Sequence, residues 1–215
     1  MSAPGRVGIG AIGLAVMLVA VLLWQARPIP AVLGFWFAGE MTFALHDAAR
    51  IGGAITVPEQ QRMRDIARAE IRRAFEPFGL EISDRQDAPY RVAVRQVIRP
   101  ARESAARYTG AAGLSFALGR LGHSGAVNFQ LLAAQAMSYA PPGATRADII
   151  DAIGRGIGRA AIHEFTHQLL PRDPVDAADD ESSYEYGSAN RRVQYYGELH
   201  WTVARPRLLV RYARR

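Results

Sequence analysis

The spacing of apolar positions is most regular between residues 145 and 170. Ile149, Ile153, Gly156 and Ala160 recur at alternating intervals of four and three, and the same stripe runs on into His163, His167 and Leu170. Thr145 and Asp148 make a capping-box-like start, and Pro171 cannot continue a helix, so the pattern predicts one helix from Ile149 to Leu170. Gly154, Gly156 and Gly158 interrupt it with poor helix formers at up to about 1 kcal/mol each. Tertiary packing must offset them, which predicts a second element crossing close to the backbone there.

Upstream, Pro58 to Phe78 reads as another amphipathic helix, with Met63, Ile66, Ala67, Ile71, Ala74 and Phe75 on its inner side and Gly79 as its C-cap. Leu80-Glu81-Ile82 reads as a short strand, and Tyr90 to Ile98 as a second, with Val92 and Val94 alternating. Gly110 to Gly125 is expected to be the main loop region and Ala126 to Leu132 a third strand. The apolar run Ala31 to Ala38 is too short to span a bilayer and is expected to join the core as a strand or helix turn. His46 and Asp47 read as a pair at a helix end, and His123 as a loop histidine.

Gly8 to Trp24 is seventeen residues without a charge, at the lower limit for a membrane span. No persuasive cleavage site follows, and Trp24 suits a membrane interface, so an uncleaved anchor is expected with the remaining chain outside the cytoplasm. The organisation predicted is a transmembrane anchor over 1–27, a connecting segment over 28–57 and one α+β domain over 58–215.

Composition narrows the chemistry. The chain has no cysteine, which excludes disulfides and thiolate metal ligands. All 26 basic residues are arginine and the net charge is +6, but no nucleic-acid motif accompanies the charge, so no nucleic-acid partner is expected.

The helix of the first paragraph ends in His163-Glu164-Phe165-Thr166-His167. Four residues apart on a helix, the two imidazoles stand one above the other and can converge on one cation, with Glu164 beside them as a general base. With 5 histidines in 215 residues, about 0.005 occurrences of HExxH are expected by chance, so the motif is specific. Here the chain resembles the zincin superfamily of zinc-dependent peptidases, tightly over these five residues and loosely elsewhere. The resemblance implies Zn2+, a zincin-like α+β domain whose sheet edge borders the cleft, and a peptide or protein substrate.

A catalytic zinc takes three protein ligands and keeps one position open, so a third must follow His163 and His167. Glu185, with seventeen residues between it and His167, gives a gluzincin-like arrangement and is preferred. Asp173 gives a metzincin-like one, but Leu170 stands where that motif needs glycine and no methionine follows Met137. Asp176, Asp179, Asp180 and His200 share the remainder. Tyr195, Tyr196 and His200 are the candidate stabilisers of an oxyanion, a role such peptidases give to a tyrosine, histidine or arginine near the metal. The expected function is zinc-dependent peptide hydrolysis by a membrane-anchored protein with Glu164 as base. Its alternatives are a tethered binding module around a structural zinc and a basic nucleic-acid binder.

Overall fold

The computed structural model of the chain describes residues 32–98, 112–117, 123–170, 175–176 and 178–212. Residues 1–27, where the anchor is expected, and Asp173 lie outside these. Among the described residues no helix is long and apolar enough to cross a membrane.

Five strands form one mixed sheet: β1 (Val32–Phe37), β2 (Glu81–Ser83), β3 (Tyr90–Arg95), β4 (Gly113–Ala117) and β5 (His123–Asn128). Their spatial order is β2-β1-β3-β5-β4. The first four in that order run parallel, while β4 lies antiparallel on the edge. β1, which falls within the segment 28–57, sits inside the sheet with Leu33 and Phe35 fully buried. The span expected to be loop, 110–125, contains β4 and the start of β5. Beyond Asn128 the third strand gives way to a helix.

Six helices complete the described part: α1 (Leu45–Arg50), α2 (Val57–Phe75), α3 (Phe129–Ser138), α4 (Arg146–Leu169), α5 (Val193–Tyr196) and α6 (Arg205–Tyr212). α2 runs on through a turn of 3-10 helix to Gly79, whose φ of 65° closes it in the left-handed conformation glycine favours. Both long helices start with complete capping boxes, Thr56 with Glu59 and Thr145 with Asp148.

α4 is buried along nearly its whole length, which is why it lacks the polar face of a surface helix. Its glycines mark the crossings. A Cβ on Gly154 would meet Ile66 at 3.0 Å, and one on Gly158 would meet the Ala67 carbonyl at 2.7 Å, both on α2. On another side of α4, the Tyr195 ring occupies the space a Cβ on Gly156 would need. The crossing expected from the sequence is α2, with α5 as a second.

Arg146, the first residue of α4, fixes this helix pair. Its guanidinium bonds both oxygens of Glu59 at 2.6 and 2.9 Å and donates to the carbonyls of Ile51, Gly53 and Ala54. The bonds from Arg146 hold the Glu59 carboxyl at about 2, against an ordinary 4.5. Because the folded value is depressed, the pairing stabilises the fold above pH 4.5 and its contribution is lost as pH falls towards 2. Arg146→Ala is expected to cost about 2–3 kcal/mol at neutral pH and less near pH 2.5, measured by denaturant unfolding at the two values.

Candidate metal centre

α4 passes over β3, β5 and β4, and small residues on the strands let it come close. A Cβ on Gly125 of β5 would strike Gln168 Nε2 at 2.9 Å, and one on Gly113 of β4 would strike the Glu164 carboxylate at 2.3 Å. Gln168 uses the space to accept from the Arg91 backbone N–H at 3.0 Å and donate to its carbonyl at 3.1 Å, as a strand neighbour would. Ser115 donates to the Glu164 carbonyl at 3.0 Å. The last two turns of α4 are thus fixed in height and rotation against the sheet edge.

That setting converges the histidines. His163 Nε2 and His167 Nε2 are 3.1 Å apart with their rings nearly perpendicular. The third group brought to them is Asp176, whose Oδ1 lies 3.0 Å from His163 Nε2 and 3.4 Å from His167 Nε2. These three are the described residues that group as a cation site. Zinc at 2.0–2.2 Å from each ligand in a tetrahedron would set ligand atoms about 3.3 Å apart, so the triangle matches one face of that tetrahedron without rearrangement.

A second layer orients the rings. His163 Nδ1 is 3.0 Å from the Tyr184 carbonyl; donating there leaves the lone pair of Nε2 facing the centre of the triangle. Tyr184 is itself held by a bridge of backbone, with its N–H on the His200 carbonyl and the His200 N–H on the Ser182 carbonyl. Electrostatics agree with a cation site. Hydrogen bonds from His163 and His167 drive the Asp176 carboxyl well below the ordinary carboxylate range. Burial would lower the His163 pKa, but the Asp176 bond, the Glu164 charge and the Tyr184 carbonyl together raise it.

Glu164 stands apart from the triangle. It is 5% exposed, its carboxylate lies against Gly113, and burial pushes its carboxyl above the usual range. It lines the same cavity of about 570 Å3 as His163, His167 and Asp176, together with His123, Arg159, Tyr184, Tyr186 and Arg191. Gly113→Ala is expected to push the Glu164 carboxylate, the far end of a flexible side chain, out of its place against β4 while leaving the fold intact, which a crystal structure and thermal unfolding of the variant would check.

Several sequence expectations are placed elsewhere. Glu185 is fully buried, and its carboxylate accepts from the backbone N–H groups of Thr202 and Ala204 and from the Ser183 hydroxyl, so it fastens the 183–204 segment and is not one of the grouped ligands. Tyr195 donates to Gln135 Oε1 at 2.6 Å and Tyr196 to the Ala136 carbonyl at 2.9 Å, which turns both phenols onto α3 and out of the cavity lining. His200 is paired with Asp180 at 3.0 Å and is likewise not in the lining. Two residues weighed lightly or not at all in the sequence do line the cavity, His123 and Tyr186. His123 stacks on Tyr90 at 5.6 Å. Tyr186 precedes Gly187, where a Cβ would contact Asp176, and among the described residues its hydroxyl has no hydrogen-bond partner.

Comparison of the chain with family models, with curated proteins and with solved structures gave no match.

Proposed function

We propose that this chain is a zinc-dependent hydrolase of peptide bonds, with His163, His167 and Asp176 as metal ligands and Glu164 as general base. The observation that carries the reading is a ligand triangle of zinc dimensions with a buried, unligated carboxylate one residue along the same helix. Bound there, zinc would supply Lewis acidity towards a scissile carbonyl and an attacking water.

The chain's own groups do the rest. Glu164 accepts the water proton as the new C–O bond forms and returns it to the amine nitrogen as the C–N bond breaks, so the proton count balances and no covalent enzyme intermediate is needed. Burial in the cavity wall raises the Glu164 pKa, the direction that favours a general base over a spectator carboxylate. The Tyr186 phenol replaces Tyr195, Tyr196 and His200 as the donor assigned to the developing oxyanion, because Tyr186 lines the cavity and its hydroxyl has no hydrogen-bond partner among the described residues.

The edge position of β4 supports a peptide as substrate, because its outer backbone groups are free of a neighbouring strand within the described sheet. Among the described residues three side chains group as ligands, the number a catalytic centre takes, whereas a closed structural one takes four. The uncharged segment 8–24 supports a tethered enzyme. The test is metal analysis beside peptidase assay: about one zinc per chain is expected, with activity lost to a chelator and restored by Zn2+. Purified protein that binds no zinc, or cleaves peptides equally well after chelation, refutes the reading.

A further inference from the structure

Two buried arginines, Arg159 and Arg191, stand in the wall of the cavity that contains the ligand triangle. They differ in what neutralises them. Arg159 pairs with Glu70 at 3.2 Å and also donates to the carbonyls of Val193 and Gln194. Arg191 has no carboxylate within ion-pair range among the described residues. It donates from Nη2 to the Ser183 carbonyl at 2.9 Å and to Gln194 Oε1 at 3.1 Å, and from Nη1 to the Glu181 carbonyl.

Those three bonds account for the position of Arg191 but not for its charge. Its Nε–H is buried without an acceptor, and one further N–H on Nη1 is unused out of the five a guanidinium carries. The Tyr186 ring lies over the guanidinium at 4.8 Å, which attracts a cation without neutralising it. At 6% exposure water does little more, and burial pulls the pKa of Arg191 from 12.5 down to about 10. Among the described residues the carboxylates that act on Arg191, Glu181 and Asp180, do so without forming an ion pair with it, whereas Arg159 has Glu70 in contact. A buried cation without an ion-pair partner among the described residues is costly, and a ligand anion in contact with it relieves the cost.

We propose that Arg191 receives a carboxylate of the substrate, so that the cavity selects peptides bearing a negative charge close to the bond presented to Glu164. The carboxylate comes either from the substrate's C-terminus or from an acidic side chain. The Tyr186 ring lies against the guanidinium, so the subsite adjoins the residue assigned to the oxyanion.

This inference rests on the hydrolase reading, and the experiment separates the two. The full chain, loaded with Zn2+, is assayed on matched acetylated peptides: one with a free C-terminal acid, the same peptide as its amide, and amide peptides ending in Glu or Gln. A charge-assisted hydrogen bond worth about 1.5–3 kcal/mol predicts roughly ten- to a hundredfold higher kcat/KM for the charged member of a pair, mostly through KM. Preference for acid over amide assigns the C-terminus, and preference for Glu over Gln assigns the side chain. Equal kcat/KM within both pairs overturns the proposal.

If none of the peptides is cleaved, the hydrolase reading falls. The carboxylate site is then decided by calorimetric titration with an acetyl-dipeptide acid and its amide: tighter binding of the acid supports it, and equal binding or none overturns it. Arg191→Gln should bring the charged-to-neutral ratio close to one, and a folded variant that keeps the ratio also overturns the proposal. Should the variant fail to fold, the wild-type comparison stands on its own.

Discussion

Glu164→Gln is expected to lower kcat on a peptide substrate by at least about a thousandfold, within the range a positioned general base contributes, while leaving bound zinc and fold unchanged. The reason lies in where the side chain sits. The carboxylate is outside the ligand triangle, so its charge is not what holds the metal. It is buried against Gly113, and glutamine of the same length fills that space without a cavity or a new clash. What glutamine lacks is a basic oxygen, so proton transfer from water is lost and substrate binding is kept. The measurement is zinc content, thermal stability and steady-state kinetics on the same preparation. A variant with ordinary kcat removes Glu164 from the chemistry, whereas one that has lost its zinc moves Glu164 into the coordination sphere.

The parts of this centre written in local pattern were legible in the sequence. The His163–His167 spacing, the capping box at Thr145 and the run of glycines along α4 each have a consequence within one or two helical turns, and each appears in the structure. The sheet was harder to read, for a physical reason. Gly113 and Gly125 look like loop punctuation because glycine is rare in strands. Both are strand residues whose missing side chains make room for Glu164 and Gln168. A glycine demanded by a neighbouring helix and a glycine demanded by a turn are the same letter.

The aromatic cluster near the C-terminus misled for a related reason. Tyr195 packs on Gly156 and Tyr139, and Trp201 donates to the Ala74 carbonyl while its ring meets Phe75, Phe78 and Tyr184. Their polar atoms found backbone or amide partners in the core, which the identity of the residue does not disclose. Asp176 carried no distinguishing local signal among Asp173, Asp176, Asp179, Asp180 and Glu185. What separates Glu185 from the others is a pair of backbone N–H groups seventeen and nineteen residues downstream, a tertiary fact.

That separation gives the second large effect. Asp176→Ala is expected to weaken zinc binding by more than about a hundredfold, since even indirect support of a metal ligand is worth ten- to a hundredfold and this is a ligand itself. Its side chain is 62% exposed and its partners are the two histidines, so this solvent-screened pairing should contribute no more than about 1 kcal/mol to the stability of the metal-free protein. Glu185→Ala should do the reverse. It leaves the N–H groups of Thr202 and Ala204 and the Ser183 hydroxyl without their acceptor in a fully buried place, at a cost of about 3–5 kcal/mol and a Tm roughly 10 °C lower. Provided the variant is studied below its lowered Tm, the triangle of His163, His167 and Asp176 remains and zinc stays bound. The two substitutions therefore exchange phenotypes, metal loss against fold loss, and zinc titration beside thermal unfolding reads both. Zinc lost from a folded Glu185→Ala protein but kept by Asp176→Ala would return the third ligand to Glu185 and require the 183–204 segment to release that carboxylate before metal can bind.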